Sequence, residues 1–168
     1  MRNSNGLYCE QLLLSTGWAR DLVIIFDTNG VITDVRPKVI GDNFEKAAGP
    51  VLAGMSNTHS HAFQRAFVGL TERSGPKGDD FWTWRQALYR FVSLLTPEDV
   101  EAIAAQLYVD MLKGGFTSVG EFHYLHHAAD GKTYDDPAEM SHRVTAAAQE
   151  GGIELTLLPV LYAQGGFG

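Results

Sequence analysis

From Val51 onward the chain alternates between two kinds of segment, and that alternation limits its fold more than any other feature. VLAGMSNTHSH (51–61) is an apolar run that ends in a polar tip. Helix-like stretches follow, then FTSVGEFHY (116–124), another helix-like stretch, and the run from Ile153 to Tyr162. Strands separated by helices are joined by crossovers and not by hairpins, so they lie parallel. The last run is apolar on both alternating faces, the pattern of a parallel strand covered on both sides. The expected order is strand, long crossover, strand, helix, strand, an α/β arrangement.

The helices announce themselves by spacing and by their ends. In FWTWRQALYRFVSLL (81–95), Trp84, Leu88, Phe91 and Leu95 fall on one helical face. Thr96 caps the next helix, with Pro97 at its first position and Glu98 and Asp99 in its first turn. Val100, Ile103, Ala104, Leu107 and Met111 form its buried stripe, and Lys113-Gly114-Gly115 stops it. Asp136-Pro137-Ala138-Glu139 reads as a capping box with Asp136 as the cap, opening a helix that Gly151-Gly152 ends. The Gly-, Pro- and charge-rich segment Thr71 to Asp80 reads as a loop.

The first part of the chain has a different character. Leu22 to Phe26 is an apolar, partly β-branched strand. Asp27-Thr28-Asn29-Gly30 is a turn, and Val31 to Val35 returns as a hairpin partner. Pro37 marks a sheet edge or a strand end. Such a unit is too thin to be stable alone. The expected organisation is a small β unit over residues 1–50 followed by an α/β unit over 51–168.

Composition narrows the function classes. A single cysteine, Cys9, excludes an internal disulfide and a cysteine-built zinc finger. A formal charge of −7 disfavours nucleic acid and anionic lipid as partners, while leaving an anionic small molecule open to a local arginine. No basic start followed by an apolar core suggests a secretory leader, and no run approaches the roughly 20 apolar residues of a membrane span. A soluble cytoplasmic protein is expected. The chain has 168 residues, whereas a closed barrel needs eight strands and typically about 250 residues. The chain is therefore expected to be the first portion of a longer protein. Its open parallel edge would be an aggregation liability, which self-association as a homodimer would cover.

The chemistry concentrates in His59-Ser60-His61. On a regular strand, residues two apart share a face, so both imidazoles would project together beside Asn57 and Met55. Imidazole is a good ligand for zinc and similar divalent metals, and the pair lies at the C-terminal end of its strand, where barrel enzymes place their sites. A bare His-x-His is equally compatible with two ordinary polar histidines, and two ligands do not complete a catalytic zinc site. Among the other histidines, His123 sits on a strand, His126 and His127 in the loop after it, and His142 on a solvated helix face. Gln64 could donate to and accept from a substrate, Arg85 could grip a carboxylate with its planar fork, and Tyr124 could offer a hydroxyl. Glu121 shares a strand face with His123, opposite Phe122 and Tyr124, and reads as a buried partner for an arginine or as a supporting group behind the site, and not as a catalytic acid.

GMSNTHSHAFQRAFVGLTE (54–72) resembles the first barrel strand and loop of the amidohydrolase superfamily. More narrowly, HSHAFQRA, FWTWRQALYRF, LYVDMLKGGFTSVGEFHYLHH and GIELTLLPVLY resemble the formimidoylglutamate deiminases of histidine degradation, from about Trp18 to the last residue. The resemblance implies about three strands of a (β/α)8 barrel beside strands of a small β-sandwich. It implies hydrolysis of N-formimino-L-glutamate to N-formyl-L-glutamate and ammonia, with one divalent metal, usually zinc. It assigns metal ligation to His59 and His61, and substrate contact to Gln64, Arg85 and Tyr124. The remaining ligands and the glutamate proton shuttle are expected beyond Gly168, so these residues alone are expected to be inactive and to bind zinc weakly. A ring deaminase of the same superfamily, or a non-catalytic product with vestigial histidines, is the competing expectation.

Overall fold

In the computed structural model, residues 5–70, Gly78 and residues 80–161 are described. Most of the segment expected as a loop at 71–80, and the chain from Tyr162 on, lie outside the described residues. The chain divides into two compact units, one up to Ala53 and one from Gly54.

The first unit is a sheet of β1 (Gly6–Leu14), β2 (Gly17–Phe26), β3 (Ile32–Pro37) and β4 (Glu45–Lys46), in the order β3-β2-β1-β4. The β2–β3 hairpin forms as expected. Asp27 closes its turn, its Oδ1 accepting from the Asn29 N–H at 2.8 Å and the Val31 N–H at 3.0 Å. Gly30 supplies the positive φ of 80° that the turn requires. Pro37, which has no N–H to donate, is the last residue of the edge strand. Cys9 and Val23 are fully buried.

The second unit runs β5 (Met55–Ser60), a 3-10 helix (Ala62–Phe67), α1 (Phe81–Val92), α2 (Pro97–Lys113), β6 (Phe116–His123), α3 (Glu139–Gly151) and β7 (Glu154–Pro159). The sheet is parallel throughout, in the order β5-β6-β7. When each new strand adds on the same side through a right-handed crossover, the helices all fall on one face. The core confirms this: Val100, Ala104, Tyr108 and Met111 of α2 and Met140, Val144, Ala147 and Ala148 of α3 are buried with Val119 of β6. The stripe on α2 centres on Tyr108 and not on Leu107, because 100, 104, 108 and 111 make the straighter row, with Ile103 and Leu107 flanking it half-buried.

Two expectations need correction. β7 is not covered on both faces: Leu155 and Leu157 pack while Glu154, Thr156 and Leu158 are exposed. Nor does Asp136 cap α3. The helix begins at Glu139 with Ala138 at its N-cap, while the Asp136 carboxylate turns back to accept from the Ala138 N–H at 2.8 Å. The other ends behave as expected. Thr96 and Asp99 form a reciprocal capping box at 3.1 and 3.0 Å, and Gly152 ends α3 in the left-handed conformation at φ 78°.

Candidate metal centre

β5 loses its regular alternation just before the histidines. Asn57 pairs with Val119 and Ser60 with Glu121, so three steps on β5 match two on β6. This is a bulge with one extra residue. Val119 and Glu121 are buried on the helix side of β6, and Asn57 and Ser60 are therefore brought to that side. Asn57 Nδ2 lies 3.7 Å from Met111 Sδ of α2. The expectation that the Asn57 side chain projects with the histidines fails for this reason: the bulge puts His59 on the face opposite Asn57. The Asn57 Oδ1 nevertheless serves the site, accepting from the His59 N–H at 3.1 Å and holding the bulge.

Beyond the bulge the two imidazoles converge. His59 Nε2 and His61 Nε2 are 3.1 Å apart, with the rings edge-to-face at 4.7 Å. His61 Nδ1 lies 2.8 Å from the Phe122 carbonyl oxygen. A carbonyl accepts, so Nδ1 carries the proton and Nε2 presents its lone pair. Phe122 stacks on His59 at 6.0 Å and 13°, and Tyr124 meets His61 edge-on at 5.0 Å.

The next turn adds the polar neighbours. Gln64, on the 3-10 helix, donates through Nε2 to the Tyr124 hydroxyl at 3.0 Å. His61, Gln64 and Tyr124, distant in the chain, thus form one group at the C-terminal ends of β5 and β6. Arg65 faces away and fixes the 3-10 helix to α2, its Nε and Nη2 donating to Asp110 Oδ2 at 3.1 and 3.0 Å. That guanidinium holds the Asp110 carboxyl below the usual range. Arg85 lies on α1, where its contacts include the Tyr89 hydroxyl at 3.3 Å and the Trp82 and Tyr89 rings at 5.9 and 5.5 Å, all on its own helix.

Two buried groups lie behind the site. Glu121 is 1% exposed; its Oε1 accepts from the Ala62 N–H at 2.5 Å, and its Oε2 lies 3.5 Å from the Tyr108 hydroxyl. Burial pushes its carboxyl up, against the pull of the Ala62 N–H, the Ser60 hydroxyl, His61 and Tyr108. No arginine is among these partners. His123 is buried on the same face and packs edge-to-face on His126 at 5.3 Å. His126 Nε2 bonds the Val160 carbonyl at 2.8 Å, and His142 is exposed beside Asp136. Among the described residues, no group of three or more His, Cys, Asp or Glu side chains is placed to hold a metal ion. Sequence reasoning missed Glu121's bond to Ala62 and the bulge. The asparagine two residues before His59 was the available signal for the bulge, since Asn side chains bond the backbone two residues on.

A parallel sheet with helices on one face and paired imidazoles at its C-terminal rim matches the opening strands of a (β/α)8 barrel. The amidohydrolase family matches residues 51–156, and the chain belongs to that family. It is 52% identical to a formimidoylglutamate deiminase of Pseudomonas aeruginosa, over 98% of this chain and 36% of the relative. It is 28% identical to an 8-oxoguanine deaminase of the same organism, over 67% of this chain and 28% of that protein. The crystal structure of an amidohydrolase from Brucella melitensis superposes with a TM-score of 0.89 at 49% identity, covering 98% of this chain and 37% of that one. A zinc complex of atrazine chlorohydrolase from Arthrobacter aurescens shares the fold, with a TM-score of 0.67 at 16% identity over 92% of this chain and 35% of that one. The chain spans little more than a third of the length of the Pseudomonas deiminase and of the Brucella amidohydrolase.

Proposed function

We propose that this chain forms the first part of a metal-dependent deiminase that hydrolyses N-formimino-L-glutamate to N-formyl-L-glutamate and ammonia. The observation that carries the reading is the Gln64–Tyr124 hydrogen bond set directly beside the converging His59 and His61 imidazoles. The 52% identity to a formimidoylglutamate deiminase supports the choice of substrate.

The donor set fits a divalent metal. At a Zn–N distance of about 2.0–2.1 Å, two imidazoles at a tetrahedral angle lie roughly 3.4 Å apart. The observed separation is 3.1 Å, and the Phe122 carbonyl fixes the His61 tautomer that ligation through Nε2 needs. Such a metal, zinc foremost, supplies Lewis acidity and makes hydroxide available near neutral pH. The residues of this chain do the rest of their work by orientation. His59 and His61 fix where the metal sits. Gln64, with its nitrogen committed to Tyr124, offers its carbonyl oxygen to a substrate N–H. Tyr124 borders the same space and sets the far wall of the formimino group. Arg85 would pair with a substrate carboxylate, and α1 is the element that would carry it there. Water adds to the formimino carbon and the C–N bond to the terminal nitrogen breaks, so the products are a formamide and ammonia.

The test is ammonia release by the longest protein encoded in the frame that contains this chain, loaded with zinc. N-Formimino-L-glutamate is compared with formamidine lacking the glutamate moiety and with a purine. Preference for the glutamate derivative by at least tenfold is expected. Turnover of the purine alone would transfer the chain to the ring deaminases, and no zinc-dependent turnover of any of these substrates would overturn the reading. The isolated 168-residue chain is expected to release no ammonia, because it brings two imidazoles and no described cluster of three ligands.

A further inference from the structure

We propose that Glu121 is a positioning residue for the histidine pair, acting as the cap that His61 does not provide. The 3-10 helix starts directly after the histidine pair. His61 occupies its N-cap position, and the residue there usually turns its own side chain onto the first free N–H groups. His61 makes no such bond, because its imidazole is directed to Phe122 and His59. The first helical N–H, that of Ala62, is buried in a residue 1% exposed and would otherwise be unsatisfied. The carboxylate of Glu121 reaches across from β6 and accepts it at 2.5 Å.

Three successive residues of β6 thus grip the segment around His61. Gly120 allows the approach: a Cβ there would stand 3.3 Å from the Thr58 carbonyl oxygen at the bulge. Glu121 fixes the backbone just after His61. Phe122 fixes the ring itself through Nδ1. Tyr108, fully buried on α2, places its hydroxyl 3.5 Å from the second carboxylate oxygen and limits where it can lie. Beside its direct charge interaction with His61, Glu121 acts through the backbone of Ala62 and thus through the direction in which His61 points. The functional consequence rests on the proposed metal centre; the orientational claim does not.

The experiment uses the longest protein in the frame, as wild type and as Glu121→Leu, Glu121→Asp and Glu121→Gln. Glu121→Gln keeps an oxygen acceptor at the same reach, Glu121→Asp keeps the charge and loses the reach, and Glu121→Leu removes the acceptor. The first readout is the 15N spectrum of the His61 ring in metal-free protein. Wild type and Glu121→Gln should show one Nδ1–H tautomer, while Glu121→Leu should show tautomers averaging at unchanged circular dichroism. The second is the zinc dissociation constant by chelator competition. It should rise 10–100-fold in Glu121→Leu, be intermediate in Glu121→Asp, and stay within about threefold in Glu121→Gln. An unaltered His61 spectrum in Glu121→Leu overturns the proposal, as does loss of the tautomer in Glu121→Gln. If Glu121→Leu does not fold, Glu121→Asp decides, and wild-type behaviour in it overturns the proposal. Failure of wild type to bind zinc would refute the metal centre while leaving the spectral comparison to judge Glu121.

Discussion

His123 should make the protein lose stability in mild acid, and the size of the loss follows from its surroundings. The side chain is 2% exposed and, among the described residues, its Nε2 has no hydrogen-bond partner. Burial, reinforced by the neighbouring His126, pushes its pKa down to about 4, while a bond to the Leu125 backbone works the other way. In an unfolded chain the same imidazole titrates near 6.5. As pH falls below that value the unfolded chain takes up a proton that the folded one refuses, so acid favours unfolding. The stabilisation is complete above about pH 6.5 and is lost progressively toward pH 4; a separation of about 2.5 units corresponds to roughly 3 kcal/mol. The assay is the urea midpoint at half-unit steps from pH 7.5 to 4.0, for wild type and His123→Phe. Phenylalanine keeps a ring and removes the titrating nitrogen; losing the Leu125 bond should cost about 1 kcal/mol at pH 7.5, and its curve should be flatter by up to about 3 kcal/mol over the window. Carboxylates held low, such as Asp99 and Asp110, contribute in both proteins and cancel in the difference. Parallel curves, or a His123 Cε1–H resonance titrating near pH 6.5, would refute the reasoning.

Other outcomes follow from the same contacts. Tyr124→Phe removes the acceptor of the Gln64 amide and should raise KM for N-formimino-L-glutamate about tenfold, the worth of roughly one neutral hydrogen bond, measured by steady-state ammonia release. Thr96→Ala deletes half of the α2 capping box and should lower stability by about 1 kcal/mol in a urea titration at pH 7. Met140→Ala, at a position 2% exposed on α3, should cost 2–5 kcal/mol by the same measurement, roughly, since transfer and cavity terms add.

What could be read from the sequence divides by range. Thr96 and Asp99 sit three residues apart, and Gly152 ends α3 by its own backbone preference; both signals are local, and both forms are found. The alternation of strands and helices fixes a parallel sheet because crossovers admit little else. The His-x-His and its neighbours Gln64 and Tyr124 were legible as chemistry, and contacts link all four of these side chains. What was not legible depends on a partner far away in the chain. The bulge at Asn57 exists because β6 pairs out of step with β5, and no window of β5 alone shows it. Asp136 has the residue type of a cap, but Pro137 and Ala138 leave it bonding a turn ahead of the helix. Arg85 has the right charge for a substrate carboxylate, and a helix wheel does not say which way α1 turns it.

The two parities of β6 carry different tasks. Val119, Glu121 and His123 face the helices and are buried; Gly120 and Phe122 face the histidines, and Tyr124 follows on the same side. Substitution on the first set disturbs packing, and on the second it disturbs the site. Glu121 breaks this partition, since it is buried with the core yet holds the backbone next to His61. A leucine there would satisfy the hydrophobic pattern better and remove a costly buried carboxylate. Its place at a core position fits what it does for the strand beside it: an imidazole at a helix start that is turned elsewhere needs its capping supplied from another segment, and a parallel neighbour one strand over is within reach to supply it.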